Sequence, residues 1–338
     1  MVYLPSPQSI PWFLYHTAGC ADEQELLHSN RMTRQQRRLL FWISTFIFFI
    51  GVTPLLLYSF GYRFSFEKFT LLRAGGISIR PVPVTGAQIF IDGKLMHETS
   101  FLSRRLFLQG LTPRPYHIQV YKEGFYPWEK VLRVYPERVT EVHAFLAEEI
   151  ISPPTTLLEG TYKSFSFFDN NEAYIQLADN KNKKIYYSIG NAELVQEIPG
   201  GQQLILPVLP NDLSTKLSAR GAKGSSYDPQ GERILWWKGN QVWIMWLASD
   251  AALPLYTEER EALVYTADTQ IRDAQFYPRQ EAVFITSGDS IVIAELDGRS
   301  KRNEYNFYAG TEPQLLISPQ NDVFFILDKG ILMTRPIL

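Results

Sequence analysis

The chain has 338 residues, 33 Lys and Arg against 35 Asp and Glu, and a formal net charge of −2. A balance so close to neutral creates no field that would gather a polyanion, so nucleic acid is not expected as a partner, and the length suggests two or three domains. Cys20 is the only cysteine, which excludes disulfide staples and cysteine-ligated metal sites.

Residues 1–30 carry Pro5, Pro7, Pro11 and a short acidic patch at Asp22, Glu23 and Glu25, and no stable element is expected there. Thr17-Ala18-Gly19-Cys20 has the look of a lipidation site, but no basic residue and no sustained apolar run precede it. Residues 39–60, LLFWISTFIFFIGVTPLLLYSF, contain no charge. As a helix this stretch is roughly 33 Å long, enough for a hydrocarbon core of about 30 Å, and it reads as a transmembrane signal-anchor that Pro54 kinks without breaking. Arg31, Arg34, Arg37 and Arg38 precede it, so the N-terminus is expected in the cytoplasm and the rest of the chain outside. The run from Met32 to Arg38 followed at once by the span has the form of a natural beginning. We expect translation to start at Met32 and residues 1–31 to be an upstream extension.

Residues 61–75 form a juxtamembrane connector. Its aromatics at every second position (Tyr58, Phe60, Tyr62, Phe64, Phe66) suit an interfacial belt, and a short strand or extended stalk suits them equally. From Gly76 to residue 148 apolar residues alternate with turn signals, with a hairpin turn expected at Asp92-Gly93 and another at Lys122 to Phe125. About six short strands fit, the pattern of a small antiparallel β-sandwich. The run Pro83-Val84-Thr85-Gly86-Ala87-Gln88-Ile89-Phe90-Ile91-Asp92-Gly93, then Gly110-Leu111-Thr112-Pro113, then Tyr116 to Val120 and Lys122-Glu123-Gly124-Phe125, resembles the PEGA domain. Val84-Thr85 stretch that family's Pro-x-Gly-Ala segment, and Pro115-Tyr116 replaces a Pro-Gly. The resemblance implies a non-enzymatic β module of bacterial envelope proteins, and no site residue is carried over from it.

Residues 149–154 read as a linker, and residues 155–338 contain a weak repeat. Four turns, beginning at Asp169, Asp228, Tyr277 and Ser318, each carry Pro or Asn in second place and lead into an apolar strand. The centres of the strands that follow, Ile185, Trp243, Val292 and Leu332, keep almost the same distance from their turns. This is the form of a β-propeller blade, a unit that must stack on its neighbours to bury both faces. The unit also resembles TolB-like and WD40-like blades, although the WD dipeptide is missing and four units are few. A divergent further blade is conceivable in residues 194–210. Residues 211–227 are poor in apolar side chains and read as a mobile loop, including the phosphate-loop look-alike Gly221 to Ser226. The chain is therefore expected to be mainly β, with an N-terminal transmembrane helix, a PEGA-like sandwich and propeller-like blades.

No catalytic, cofactor-binding or metal-binding residue is expected. His97, His117 and His143 have no metal-ligand spacing, and Glu258, Glu259 and Glu261 read as a solvated turn around Arg260. Trp236, Trp237, Trp243 and Trp246 are the one suggestive constellation, since indole faces stack on sugars and peptides. Blade strands are buried on both faces, so packing is the first reading and a ligand platform the second. The functional expectation is a membrane-anchored, non-enzymatic cell-envelope protein, bound to the lipid bilayer through residues 39–60. In that reading the sandwich is a spacer and the blades bind envelope proteins. The alternative is a cell-wall glycan binder using exposed tryptophans, and a hydrolase would need two converging carboxylates that the sequence does not show.

Overall fold

The computed structural model describes residues 33–65, 70–149, 153–198, 210–228, 230–247, 254, 257, 259–278 and 281–337. It divides into two compact units, Met1–Phe60 and Gly61–Leu338. The readings made for residues 1–32, Cys20 among them, and for Phe66, Glu258 and residues 199–209 lie outside the described residues.

In the first unit, helix α1 (Arg34–Ser59) has 26 residues, none of them buried, with a mean hydropathy of 2.2 over its best 18-residue window. It is long and apolar enough to cross a bilayer, a test that a signal sequence also passes. The helix starts five residues before the apolar run because Thr33 and Gln36 form a capping box: the Gln36 amide donates to Thr33 Oγ1 and the Thr33 amide to Gln36 Oε1. Arg34, Arg37 and Arg38 thus lie on the helix, and Pro54 lies within it.

The second unit begins with a two-stranded hairpin, β1 (Tyr62–Ser65) and β2 (Thr70–Arg73), where a single strand or stalk was expected. Seven strands follow: β3 (Gly75–Val82), β4 (Gln88–Ile91), β5 (Lys94–Glu98), β6 (Leu106–Leu111), β7 (Pro115–Tyr121), β8 (Trp128–Arg133) and β9 (Val139–Phe145). They make two sheets, β6-β3-β9 and β5-β4-β7-β8, which share one core that includes Ile77, Ile79, Ile89, Ile118, Val120 and Val142. Asp92 and Gly93 turn between β4 and β5 with φ of 51° and 75°, the left-handed pair that a two-residue hairpin needs. One pairing departs from the antiparallel expectation: β3 runs parallel to β9. Five strands separate these two in the chain, so no turn fixes their direction and no local pattern announces it.

Beyond β10 (Thr155–Glu159) come four antiparallel sheets. The first holds β11 (Tyr162–Phe167), β12 (Tyr174–Asp179), β13 (Lys184–Ser188) and β14 (Glu193–Val195). After helix α2 (Asn211–Ala219), the second holds β15 (Gly224–Tyr227), β16 (Arg233–Lys238), β17 (Gln241–Trp246) and β18 (Glu261–Thr266). The third holds β19 (Ile271–Phe276), β20 (Ala282–Ser287), β21 (Ser290–Glu295) and β22 (Glu304–Ala309). The last holds β23 (Gln314–Ser318), β24 (Val323–Asp328) and β25 (Ile331–Pro336), and β10 completes it at the side of β25. Ile185, Trp243, Val292 and Leu332 fall on β13, β17, β21 and β25, one in each sheet. Apolar clusters join the second sheet to the third, the third to the fourth, and the fourth to the first.

Phe145 and Ala147, at the end of the seven-stranded part, belong to the same cluster as Tyr277, Phe284 and Phe324 of the sheet array. Lys130 on β8 is 2% exposed and Glu295 on β21 is fully buried, with Nζ and Oε2 3.2 Å apart. The Lys130 ammonium also donates to the carbonyls of Asp297, Arg299 and Lys301 at 2.6, 3.1 and 3.3 Å. Trp128 Nε1 donates to Glu295 Oε1 at 2.9 Å, and Asn303 Nδ2 to Oε2 at 2.9 Å. Burial pushes the Glu295 carboxyl above its ordinary range, against the pull of the Lys130 ammonium.

Residues 211–227 are not a loop. Leu213 and Leu217, four apart, stand on one side of α2 and are buried against Ile234 and Trp236, while Gly224–Tyr227 pair with β16. Two leucines at the right spacing suffice for a short helix that caps a sheet, although the stretch as a whole is polar. Leu217→Ala is accordingly expected to lower unfolding stability by about 2–5 kcal/mol in a denaturant titration, where a mobile loop would lose less than about 0.5 kcal/mol.

Candidate interaction surface

The four sequence-predicted tryptophans all lie on the second sheet, and β-alternation divides them. Trp236 and Trp243 are cross-strand partners on the face that α2 covers, stacked with centroids 5.7 Å apart and planes 13° from parallel. Trp237 and Trp246 lie in the cluster on the other face, together with Ile271, Phe276 and Ile285 of the third sheet. The structure thus brings two of them together as a pair and turns the other two away. Trp236 and Trp237 are each 6% exposed and Trp246 4%, while Trp243 is half-buried. A ring platform for a sugar needs an open indole face, and neither Trp236 nor Trp237 offers one.

The polar surroundings hold this arrangement. Glu261 Oε1 accepts from Trp236 Nε1 at 2.9 Å, and Arg220, just past α2, forms a two-pronged pair with the same carboxylate, both contacts at 2.9 Å. The Arg220 guanidinium also lies 5.8 Å from the Trp236 ring centre. Glu261, one of the three carboxylates read as a solvated turn around Arg260, is instead engaged in fixing an indole, and Glu259 is exposed. Beside this group a cleft of about 600 Å³ is lined by Leu213, Lys216, Arg220, Tyr227, Met245, Trp246, Leu247 and Glu261. Its lining mixes the apolar Leu213, Met245, Trp246 and Leu247 with the charged Lys216, Arg220 and Glu261.

Gly224, in the segment that looked like a phosphate loop, has a packing reason. A Cβ there would meet the Trp237 ring at 2.2 Å, so only glycine lets β15 pass under the indole. The histidines serve locally: His117 is hydrogen-bonded to Glu129, His97 Nε2 lies 3.0 Å from Ser103 Oγ, and His143 is exposed on β9. Among the described residues no group of three His, Cys, Asp or Glu is placed to hold a metal ion.

Sequence reading located the turns of the repeat but missed what their first residues do. Asp169 Oδ1 accepts from the amides of Ala173 and Tyr174, and Asp228 Oδ1 accepts from those of Glu232 and Arg233. The same turns stitch neighbouring sheets. Glu172 accepts from Ser318 Oγ at 2.7 Å and the Gln320 amide at 3.2 Å, and Arg233 pairs with both oxygens of Glu281 at 3.1 and 3.0 Å. The signal was an aspartate at the head of two repeat turns, a residue whose short carboxylate bonds nearby backbone amides.

No family model matches the chain, and no curated protein matches it. Among solved structures, similarity is found to the Myceliophteria thermophila Cps50 (Swd1) beta-propeller domain at 10% identity and a TM-score of 0.25, covering 55% of this chain and 59% of that one. A second match, in the Mitotic Checkpoint Complex, has 8% identity and a TM-score of 0.26, covering 72% of this chain and 65% of the other. The chain thus spans about three fifths of the length of either, and likenesses this distant carry no argument about function.

Gly224→Ala is expected to force the Trp237 ring aside and lower stability by about 1–3 kcal/mol, with a shifted tryptophan emission maximum. An unchanged denaturation midpoint and spectrum would show that the ring does not sit over this glycine.

Proposed function

We propose that the chain is a membrane-anchored, non-enzymatic interaction protein of the bacterial cell envelope. In this reading α1 is the anchor and the seven-stranded part is a PEGA-like sandwich serving as spacer. The four sheets form a propeller-like body that binds a protein partner. The observation that carries the proposal is β10: the strand that opens the array completes the sheet that ends it, the device by which a ring of repeated sheets is fastened. A body held this way presents its loops on a rigid frame, which suits recognition. The mixed cleft beside α2 is a place on it for a partner's side chains.

Orientation is the first thing to test. With a tag after Leu338, external protease should digest the tag in intact cells without lysis. Protection until lysis, in a strain whose envelope admits the protease, would reverse the topology and remove the envelope from the proposal.

A further inference from the structure

The seven-stranded part has two ends of different chemistry. At one end lie Gly61, the start of β3, the end of β6 and the start of β9, since Ala74 bonds to Gly61 and Gly75 and Gly76 pair with Leu111 and Val139. The β1–β2 hairpin, the Asp92-Gly93 turn and residues 111–115 and 134–138 belong to this end. Arg63 Nε ties the hairpin there, donating to the Gly110 carbonyl at 3.1 Å.

Six basic side chains gather at this end: Arg63, Arg73, Lys94, Arg114, Arg133 and Arg138. Among the described residues its turns carry the carboxylates Asp92 and Glu137, each already paired, with Arg114 and Arg73 respectively, and Glu141 of β9 shares a cleft with Arg133 and Arg138. Exposed apolar groups stand among the charges. Phe64 and Leu71 are cross-strand partners, 46% and 45% exposed, and Tyr135 is 53% exposed. The opposite end, residues 98–105, 122–126 and 146–149, has three basic residues (Arg104, Arg105, Lys122) against four acidic ones (Glu98, Glu123, Glu148, Glu149).

Excess positive charge interleaved with aromatic and aliphatic side chains is the chemistry that recognises a bilayer surface. The apolar groups enter the headgroup boundary and the cations are drawn to an anionic leaflet. The chain arrives at this end from α1, which stops at Ser59, three residues before β1. We propose that this end of the seven-stranded part is a lipid-headgroup contact surface selective for anionic phospholipid, so that the unit rests against the membrane as well as being tethered to it. The inference rests on the reading of α1 as a membrane anchor.

The test uses the full-length chain with Cys20→Ser, reconstituted in nanodiscs of phosphatidylcholine alone or mixed with phosphatidylglycerol. An environment-sensitive fluorophore is attached through Pro136→Cys, or through Leu102→Cys at the opposite end, where Leu102 is 94% exposed. The expected result is a blue-shifted emission at position 136 in the anionic discs. Arg133→Glu with Arg138→Glu should abolish that shift, and position 102 should not respond. Incorporation without any lipid-dependent change at 136, or an equal change at 102, would overturn the inference and leave the anchor intact. A chain that elutes apart from the discs would overturn the anchor reading and this inference with it.

Discussion

The structure of residues 61–338 depends on one buried cation. The Lys130 side chain has no exposure, and an ammonium moved out of water costs several kcal/mol unless its donors are satisfied and its charge is met. Glu295 supplies the charge and the carbonyls of Asp297, Arg299 and Lys301 supply further oxygens, so the chain from 295 to 301 is wrapped around a lysine from the other part of the unit. Glu295 is in turn fully engaged, with Trp128 on one oxygen and Lys130 and Asn303 on the other. Such a site fixes register more than it adds stability, because a half-satisfied version is worse than none. Phe145 and Ala147 add apolar contact from the same side of the joint.

That joint explains why the seven strands and the sheet array form one compact unit despite a linker-like sequence at residues 149–154. It also gives the sheet array a fixed partner at its third and fourth sheets. The second sheet carries α2, the paired indoles and the cleft.

Much of this was legible from period and turn chemistry. Asp92-Gly93, the period-2 runs of β7 to β9 and the four repeat turns are local signals, and the turns placed one strand, β13, β17, β21 or β25, in each of the four sheets of the array. The alternation through Trp128, Lys130 and Leu132 went unread, so the buried lysine and its partner Glu295 were not anticipated. What stayed hidden depends on pairing between distant segments. The parallel union of β3 with β9 and the completion of the last sheet by β10 have no short-range signature. Helix α2 was obscured because only Leu213 and Leu217 mark its buried side. The tryptophans were visible at once, but whether a strand's indole faces ligand or neighbour is decided by the next sheet.

The most direct test of the account is denaturant unfolding of the full-length protein and its Glu295→Ala variant, followed by tryptophan fluorescence and circular dichroism together. The joint predicts one shared transition for the β unit, and a loss of about 3–5 kcal/mol in the variant, because Lys130 is left buried without its counter-charge. Two separate transitions in the parent protein, or a variant within about 0.5 kcal/mol of it, would contradict the account.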